Sequence, residues 1–279
     1  MDRRRIDIGD GELEAVIAGQ GSVTVVFENG LATPLEEWDD VVGAVAERAR
    51  TLRYDHRSAP QSGDMPARSV SDVLGDLEKL LAALALKPPY LLVGHSWGGV
   101  VTRLFAHAHP ADVVGLVFVD ATHEALDPRV LALVPAMQSV LLFLCRAQFV
   151  RRGFMRQLCP PNSPSTYRAL IEQRLQDPAR WQVGFRTARS ESAAIAPALG
   201  RLRRDCPGLA PVPIHVLTAG AVKTKSAQRV HDAWKATAAR TPTARYTHVA
   251  TSGHYMTFDA PDAVVSAILG VLQEAQTHS

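Results

Sequence analysis

Apolar positions along this chain follow two rhythms. Nearly unbroken runs bounded by turn residues, Val23 to Glu28, Tyr90 to Val93, Val113 to Val119 and Ile214 to Thr218, read as strands. Other strand-like segments are Arg5 to Ile8, Glu12 to Ala18, Thr51 to Tyr54 and Arg245 to Val249, the first two set apart by Gly9, Asp10 and Gly11. Between strands the period lengthens. Val70, Val73, Leu74, Leu77, Leu80, Leu81 and Leu84 recur at helical spacing, and Val41, Val42, Val45 and Ala46 do so within Trp38 to Ala49. Further helices are expected up to about His107, from Ala227 to Ala239 and from Pro261 to Glu274. Strands alternating with amphipathic helices predict an α/β fold with parallel strands and crossover helices. The alternation breaks between about Glu124 and Ala210, a helical stretch rich in Arg and Leu that carries Pro135, Pro160, Pro161, Pro164, Pro178 and Pro197.

The bulk numbers narrow the function. In 279 residues, 30 basic and 28 acidic side chains leave a net charge of +2, so no global field points to nucleic acid or an anionic membrane. Arg3-Arg4-Arg5 is expected to be a solvated terminus. No apolar signal region follows it, because Asp7, Asp10, Glu12 and Glu14 intervene. The most apolar stretch, Val130 to Cys145, holds Pro135 and stops at Arg146, short of the ~18–20 residues of a membrane span. Cys145, Cys159 and Cys206 lack CxxC spacing, so neither a disulfide framework nor a metal site is expected, and a cytoplasmic location fits. The expected partner is a small-molecule substrate, with no cofactor; the sequence is silent on oligomeric state.

The chemistry concentrates in Gly94-His95-Ser96-Trp97-Gly98, which fits the G-x-S-x-G pattern between a predicted strand and a predicted helix. A strand turning directly into a helix brings the positions two before and two after the serine close together, so Gly94 and Gly98 omit side chains that would collide. The Trp97 N–H at the helix start can meet the negative oxygen of a tetrahedral intermediate.

With this motif the chain resembles the α/β-hydrolase superfamily over nearly its whole length. "YDHRSAPQSG" at 54–63, "GLVFVDATH" at 115–123 and "TSGHYMTFDAPDAVVSAI" at 251–268 resemble that family's segments in the family's order. The resemblance implies a mostly parallel eight-stranded sheet flanked by helices. The core would comprise residues 1–123 and 211–279, with residues 124–210 as a helical cap, or lid, over the site.

It also implies roles. His254, past the last strand and before the last helix, stands where the family places its catalytic base. The acid is less direct. The family's usual position after the seventh strand, 217–225, has no carboxylate, so Asp120 at the end of the sixth strand takes the role, with Glu124 and then Asp232 as alternatives. The oxyanion hole would use the N–H groups of Leu31 and Trp97. In the Asn29-Gly30-Leu31 loop the family's usual His-Gly has become Asn-Gly, and Gly30 is expected to permit the turn. Asp55 and Arg57 read as structural. Asn29, Gly30, Leu131, Val134, Met137 and Leu141 are candidate substrate contacts, with Leu142 and Phe149 as further apolar lining and Trp97 as a pocket wall; a helix burying the cap residues against its neighbours would show the same pattern.

The expected reaction is hydrolysis of an ester, lactone or thioester through an acyl-serine. A triad-bearing lyase or cyclase and a non-catalytic small-molecule receptor are the alternatives.

Overall fold

A computed structural model of the chain describes residues 3–57, 68–127 and 159–277, together with the separate helical positions 131, 134, 137, 140, 144, 150 and 153. Eight strands form one sheet in the order β1-β2-β4-β3-β5-β6-β7-β8. They are β1 (Arg3–Asp7), β2 (Glu12–Ala18), β3 (Thr24–Glu28), β4 (Arg50–Tyr54), β5 (Tyr90–His95), β6 (Val113–Val119), β7 (Ile214–Ala219) and β8 (Ala244–Val249). β1–β2 and β2–β4 are antiparallel, and every other pairing is parallel. This is the mostly parallel eight-stranded sheet the resemblance implied. Its first strand begins earlier than expected. Arg3, Arg4 and Arg5 are exposed, as expected of a solvated segment, but they lie in the edge strand, where Arg3 pairs with Glu14, Glu36 and Asp55.

The helices follow from the long apolar period. A 3-10 turn (Leu35–Trp38) leads into α1 (Asp39–Ala46), so the helix expected over 38–49 is shorter and preceded by a tighter turn. α2 (Val70–Ala83) starts at a capping box in which Ser69 and Asp72 satisfy each other's backbone N–H groups. Then come α3 (Gly98–Ala108), α4 (Ser165–Gln176), α5 (Pro178–Asp205), α6 (Lys225–Ala239), the single turn α7 (Met256–Asp259) and α8 (Pro261–Thr277).

Side chains alternate across the pleat, which gives the sheet two cores. Val25, Phe27, Leu91, Val93, Val117 and Val119 pack on one face with α1 and α8. Val26, Leu52, Leu92, Leu116, Phe118 and Val216 pack on the other with α2, α3 and Trp234 of α6. Both faces are covered, which is why the strands read as unbroken apolar runs.

Strand order reverses between β3 and its neighbours: the chain goes from β3 outward to β4, then returns to β5 on the other side. The crevice beyond the carboxyl ends of strands at such a switch point is where open α/β sheets build their sites. The loop after β3 and the turn after β5 both open there.

The segment expected to form the cap is divided. Trp181 and Phe185 of α5 join Tyr167, Ile171 and Leu175 of α4 and Phe258 of α7 in a separate cluster. Ala194, Ala198, Leu199 and Leu202, later in the same helix, belong to the core beneath α2 and α3. The end of α5 is therefore core packing, although the loss of strand–helix alternation assigned it to the insertion.

Candidate active site

β5 ends at His95 and α3 begins at Gly98, so Ser96 and Trp97 make the turn, and Ser96 takes its left-handed position, with φ of 52°. A left-handed conformation costs a non-glycine residue about 1–3 kcal/mol and needs support. Ser96 N–H donates to the Val119 carbonyl at 3.1 Å, and its own carbonyl accepts from Gly99 N–H at 3.2 Å and Thr122 N–H at 2.9 Å. The flanking glycines are required by close approach. A Cβ on Gly94 would lie 2.6 Å from the Gly98 backbone, and one on Gly98 would lie 2.3 Å from the Glu28 carbonyl oxygen.

His254 reaches this serine from the loop after β8. Its Nε2 lies 3.1 Å from Ser96 Oγ and its Nδ1 lies 2.6 Å from Asp120 Oδ2. With Nδ1–H donating to the carboxylate, Nε2 is free to accept the serine proton. The loop is pinned at two points. Gly253 N–H donates to Asp259 Oδ2 at 2.8 Å, and the His254 carbonyl accepts from His95 Nε2 at 3.0 Å. Buried His95 also meets Glu37 Oε2 at 3.2 Å, and although burial opposes its charge, Glu37 raises its pKa above the ordinary histidine value.

Asp120 follows β6 with φ of 39°. Its Oδ1 accepts from Ala219 N–H and from His231 Nε2, each at 3.0 Å. Burial raises the pKa of this carboxyl, but hydrogen bonds from His231, His254 and Ala219 outweigh it and hold the group well below the usual aspartate range. Glu124 is elsewhere, paired with Arg103. Asp232 is exposed on α6 and accepts from Gln228. Of the three candidate acids, only Asp120 meets the imidazole. His231 was invisible in the sequence: one histidine within a helix has no spacing that signals a carboxylate 111 positions away.

The loop after β3 corrects two expectations. Asn29 is fully buried and is not a substrate contact. Its Nδ2 donates to the Tyr54 carbonyl at 2.7 Å and its Oδ1 accepts from Trp38 Nε1 at 2.9 Å. Gly30 is buried too, and its N–H donates to Glu37 Oε1 at 2.8 Å. It is glycine because a Cβ would lie 2.9 Å from His95 Nδ1, not because the turn needs a left-handed residue there. The left-handed residue is Ala32, with φ of 54°. The Gly30 carbonyl accepts from Thr33 N–H at 3.3 Å and Thr33 Oγ1 at 2.9 Å, so the Leu31 N–H in that trans peptide points the opposite way. Among the described residues neither the Leu31 nor the Trp97 N–H has a hydrogen-bond acceptor.

Other candidate contacts fare unevenly. The Trp97 side chain is buried in the α2–α3 core, with no partner for its Nε1 among the described residues, so it is core rather than pocket wall. Met137 is 64% exposed and faces solvent. Leu131 packs against the main core, and Val134 is half-buried. Leu141, Leu142 and Phe149 lie outside the described residues. Asp55 and Arg57 hold neighbouring loops: Asp55 accepts from Leu35 N–H and pairs with Arg3, and Arg57 pairs with Asp10 and Asp76.

A second buried charge cluster lies beside the β3 loop. His56 Nε2 meets Glu28 Oε2 at 3.0 Å, and its Nδ1 meets Glu191 Oε1, on α5, at 3.1 Å. Glu28 Oε1 also accepts from the Tyr54 hydroxyl. Burial opposes a charge on His56, yet Glu191 and Glu28 together hold its pKa well above the ordinary value. Ala32, His56 and Glu191 border a cleft of about 990 Å³ between α4, α5 and the β1–β2 edge, and this cleft is lined by neither Ser96 nor His254. Among the described residues no group of three His, Cys, Asp or Glu side chains could hold a metal ion, and no helix is long and apolar enough to cross a membrane.

Residues 25–267 match the sequence model of the alpha/beta hydrolase family. The chain belongs to that family. This alpha/beta hydrolase is 37% identical over 103 residues to "Uncharacterized protein YqjL" of Bacillus subtilis, a stretch covering 37% of this chain and only 41% of that protein's length. Its fold is similar to that of the epoxide hydrolase CorEH, at 18% identity and a TM-score of 0.73, with 98% of each chain covered. It is also similar to a thermophilic esterase from Thermogutta terrifontis, at 20% identity and a TM-score of 0.65, with 99% of each chain covered. At such identities the likeness is one of fold.

Proposed function

We propose that this alpha/beta hydrolase cleaves a carboxylic ester, lactone or thioester, with Ser96 as nucleophile, His254 as general base and acid, and Asp120 as the group that orients the imidazole. The observation that carries this reading is the continuous hydrogen-bonded series Ser96 Oγ–His254–Asp120, at 3.1 and 2.6 Å. His254 Nε2 takes the serine proton as Oγ attacks the carbonyl carbon, and Asp120 stabilises the resulting imidazolium. The tetrahedral oxyanion meets the N–H groups of Leu31 and Trp97, which have no acceptor among the described residues. The imidazolium gives its proton to the departing alcohol or thiol, leaving an acyl-serine. Water, deprotonated by the same imidazole, then adds to the acyl carbon, and collapse releases the carboxylic acid and restores Ser96.

The fold likeness to an epoxide hydrolase does not change this reading. Family members that open epoxides by the usual route carry an aspartate where this chain has Ser96. A serine hydroxyl hydrogen-bonded to the His254–Asp120 pair suits acyl transfer instead.

A fluorophosphonate probe is expected to label wild-type protein at Ser96, located by peptide mass spectrometry. A panel of esters, lactones and thioesters of graded acyl length, run on wild type, Ser96→Ala, His254→Ala and Asp120→Asn, is expected to show turnover that is nearly abolished by the first two substitutions. Wild-type turnover in Ser96→Ala would refute the mechanism.

A further inference from the structure

Ala32 follows the proposed oxyanion donor Leu31 and holds an unfavourable left-handed conformation. Its N–H donates at 2.8 Å to Oε2 of Glu191, a residue of α5 that lies 159 positions later and is almost wholly buried. The other oxygen of Glu191 meets His56, which follows β4, and His56 in turn meets Glu28 at the end of β3. One turn of α5 is thus tied to the loops after two neighbouring strands. The adjacent Ser190 adds another tie, since its Oγ accepts from Arg68 N–H at 3.2 Å just before α2.

We infer that Glu191 is a positioning residue for the oxyanion loop: by accepting the Ala32 N–H it holds the Gly30–Leu31–Ala32 backbone with the Leu31 N–H presented to the reaction. The inference rests on the serine-hydrolase reading above. The geometry separates the jobs. Glu37 fixes the loop from the Gly30 side, Thr33 fixes the Gly30 carbonyl, and Glu191 fixes the far end at the residue with the least favourable backbone. Without an acceptor there, Ala32 relaxes toward negative φ and rotates the neighbouring peptide. His56 keeps Glu191 in place from its other oxygen, so the carboxylate bridges rather than swings. Because Glu191 is on α5, the placement of that helix becomes a condition for a competent oxyanion hole, although Glu191 itself touches no reacting atom.

The test is steady-state kinetics on a p-nitrophenyl ester that the wild type hydrolyses, with circular dichroism to establish folding. Glu191→Ala is expected to lower kcat by ~10–100-fold, below the ~10²–10³ of a deleted donor because the N–H is displaced and not lost, with KM within about twofold. Glu191→Gln keeps an acceptor oxygen and is expected to lose only about 3–10-fold. Glycine tolerates the left-handed region, so adding Ala32→Gly to either variant is expected to restore kcat at least about threefold. Should Glu191→Ala fail to fold, the Glu191→Gln pair carries the same comparison. An unchanged kcat, a loss confined to KM, or no recovery with Ala32→Gly overturns the inference. Fluorophosphonate labelling of wild type runs in parallel. Labelling at Ser96 beside an inert Glu191 overturns this inference alone, whereas wild type that neither labels nor turns over an ester overturns the hydrolase reading first.

Discussion

Replacing His231 with phenylalanine isolates one of the two histidines that flank Asp120. The ring sits in a buried place on α6, 6.1 Å from the ring of His248, and phenylalanine keeps an aromatic ring there. What disappears is a 3.0 Å hydrogen bond to a buried carboxylate. A bond of that kind to a charged group contributes about 1.5–3 kcal/mol, and for a protein of this size that corresponds to a fall in Tm of about 3–5 °C. The effect on pH dependence has a definite sign. The His231 bond helps depress the Asp120 pKa, so its removal makes the carboxylate more basic. The stability that a depressed Asp120 pKa contributes is therefore smaller in the variant, so its Tm deficit should be fully present above about pH 4 and shrink as the pH falls below that. Asp120 keeps its bonds to Ala219 N–H and His254, so the rate at the optimum should fall by less than about tenfold. Thermal melts followed by circular dichroism from about pH 3 to 7, and the rate on one ester at its optimum, measure these effects. An unchanged Tm across that range would refute the idea that His231 supports the acid.

Three other expectations follow from the same geometry. Asp120→Asn should cut kcat by about 10⁴, the loss known when a triad carboxylate is neutralised, whereas Glu124→Gln should leave turnover within a few-fold; a reversed order in the same assay would mean the acid is misassigned. Gly98→Ala places a Cβ 2.3 Å from the Glu28 carbonyl oxygen and should lower stability by about 1–3 kcal/mol in urea titrations, with loss of Ser96 labelling. The His56 pKa is raised above its ordinary value, so its stabilising contribution is fully present below about pH 6.5 and disappears as pH rises through the higher folded value. Urea midpoints from pH 6 to 10 should therefore decline on the alkaline side, and His56→Gln should flatten that decline.

The parts of the fold legible in the sequence were those written in local periodicity. The strands from Val113 to Val119 and from Glu12 to Ala18 match the expected bounds because both sheet faces and both ends of each run are marked by neighbouring residues. Ser96 was legible because the elbow imposes its glycines within five positions. His254 and Asp120 were legible only through the order of elements, since no local pattern connects them. Glu37, His56, Glu191 and His231 carried no signal, because each acquires its partner when distant loops meet. Asn29 misled for a related reason: its position beside the proposed oxyanion donor suggested a ligand contact, but its amide closes bonds to Tyr54 and Trp38 and never reaches the crevice. In the expected cap, helical periodicity reports that a helix has an apolar side without saying which partner receives it, so α5 could not be divided between two clusters.

Four non-glycine residues among those described have positive φ, and Ala32, Ser96 and Asp120 are three of them. They stand after β3, β5 and β6, at the loop, the hydroxyl and the carboxylate that the proposed chemistry needs. Selection for heat tolerance alone would push all three toward glycine, whose backbone accepts such angles without penalty. At position 32 that drift could pass unnoticed by the chemistry, but at 96 and 120 it would leave a sturdier protein with nothing to react.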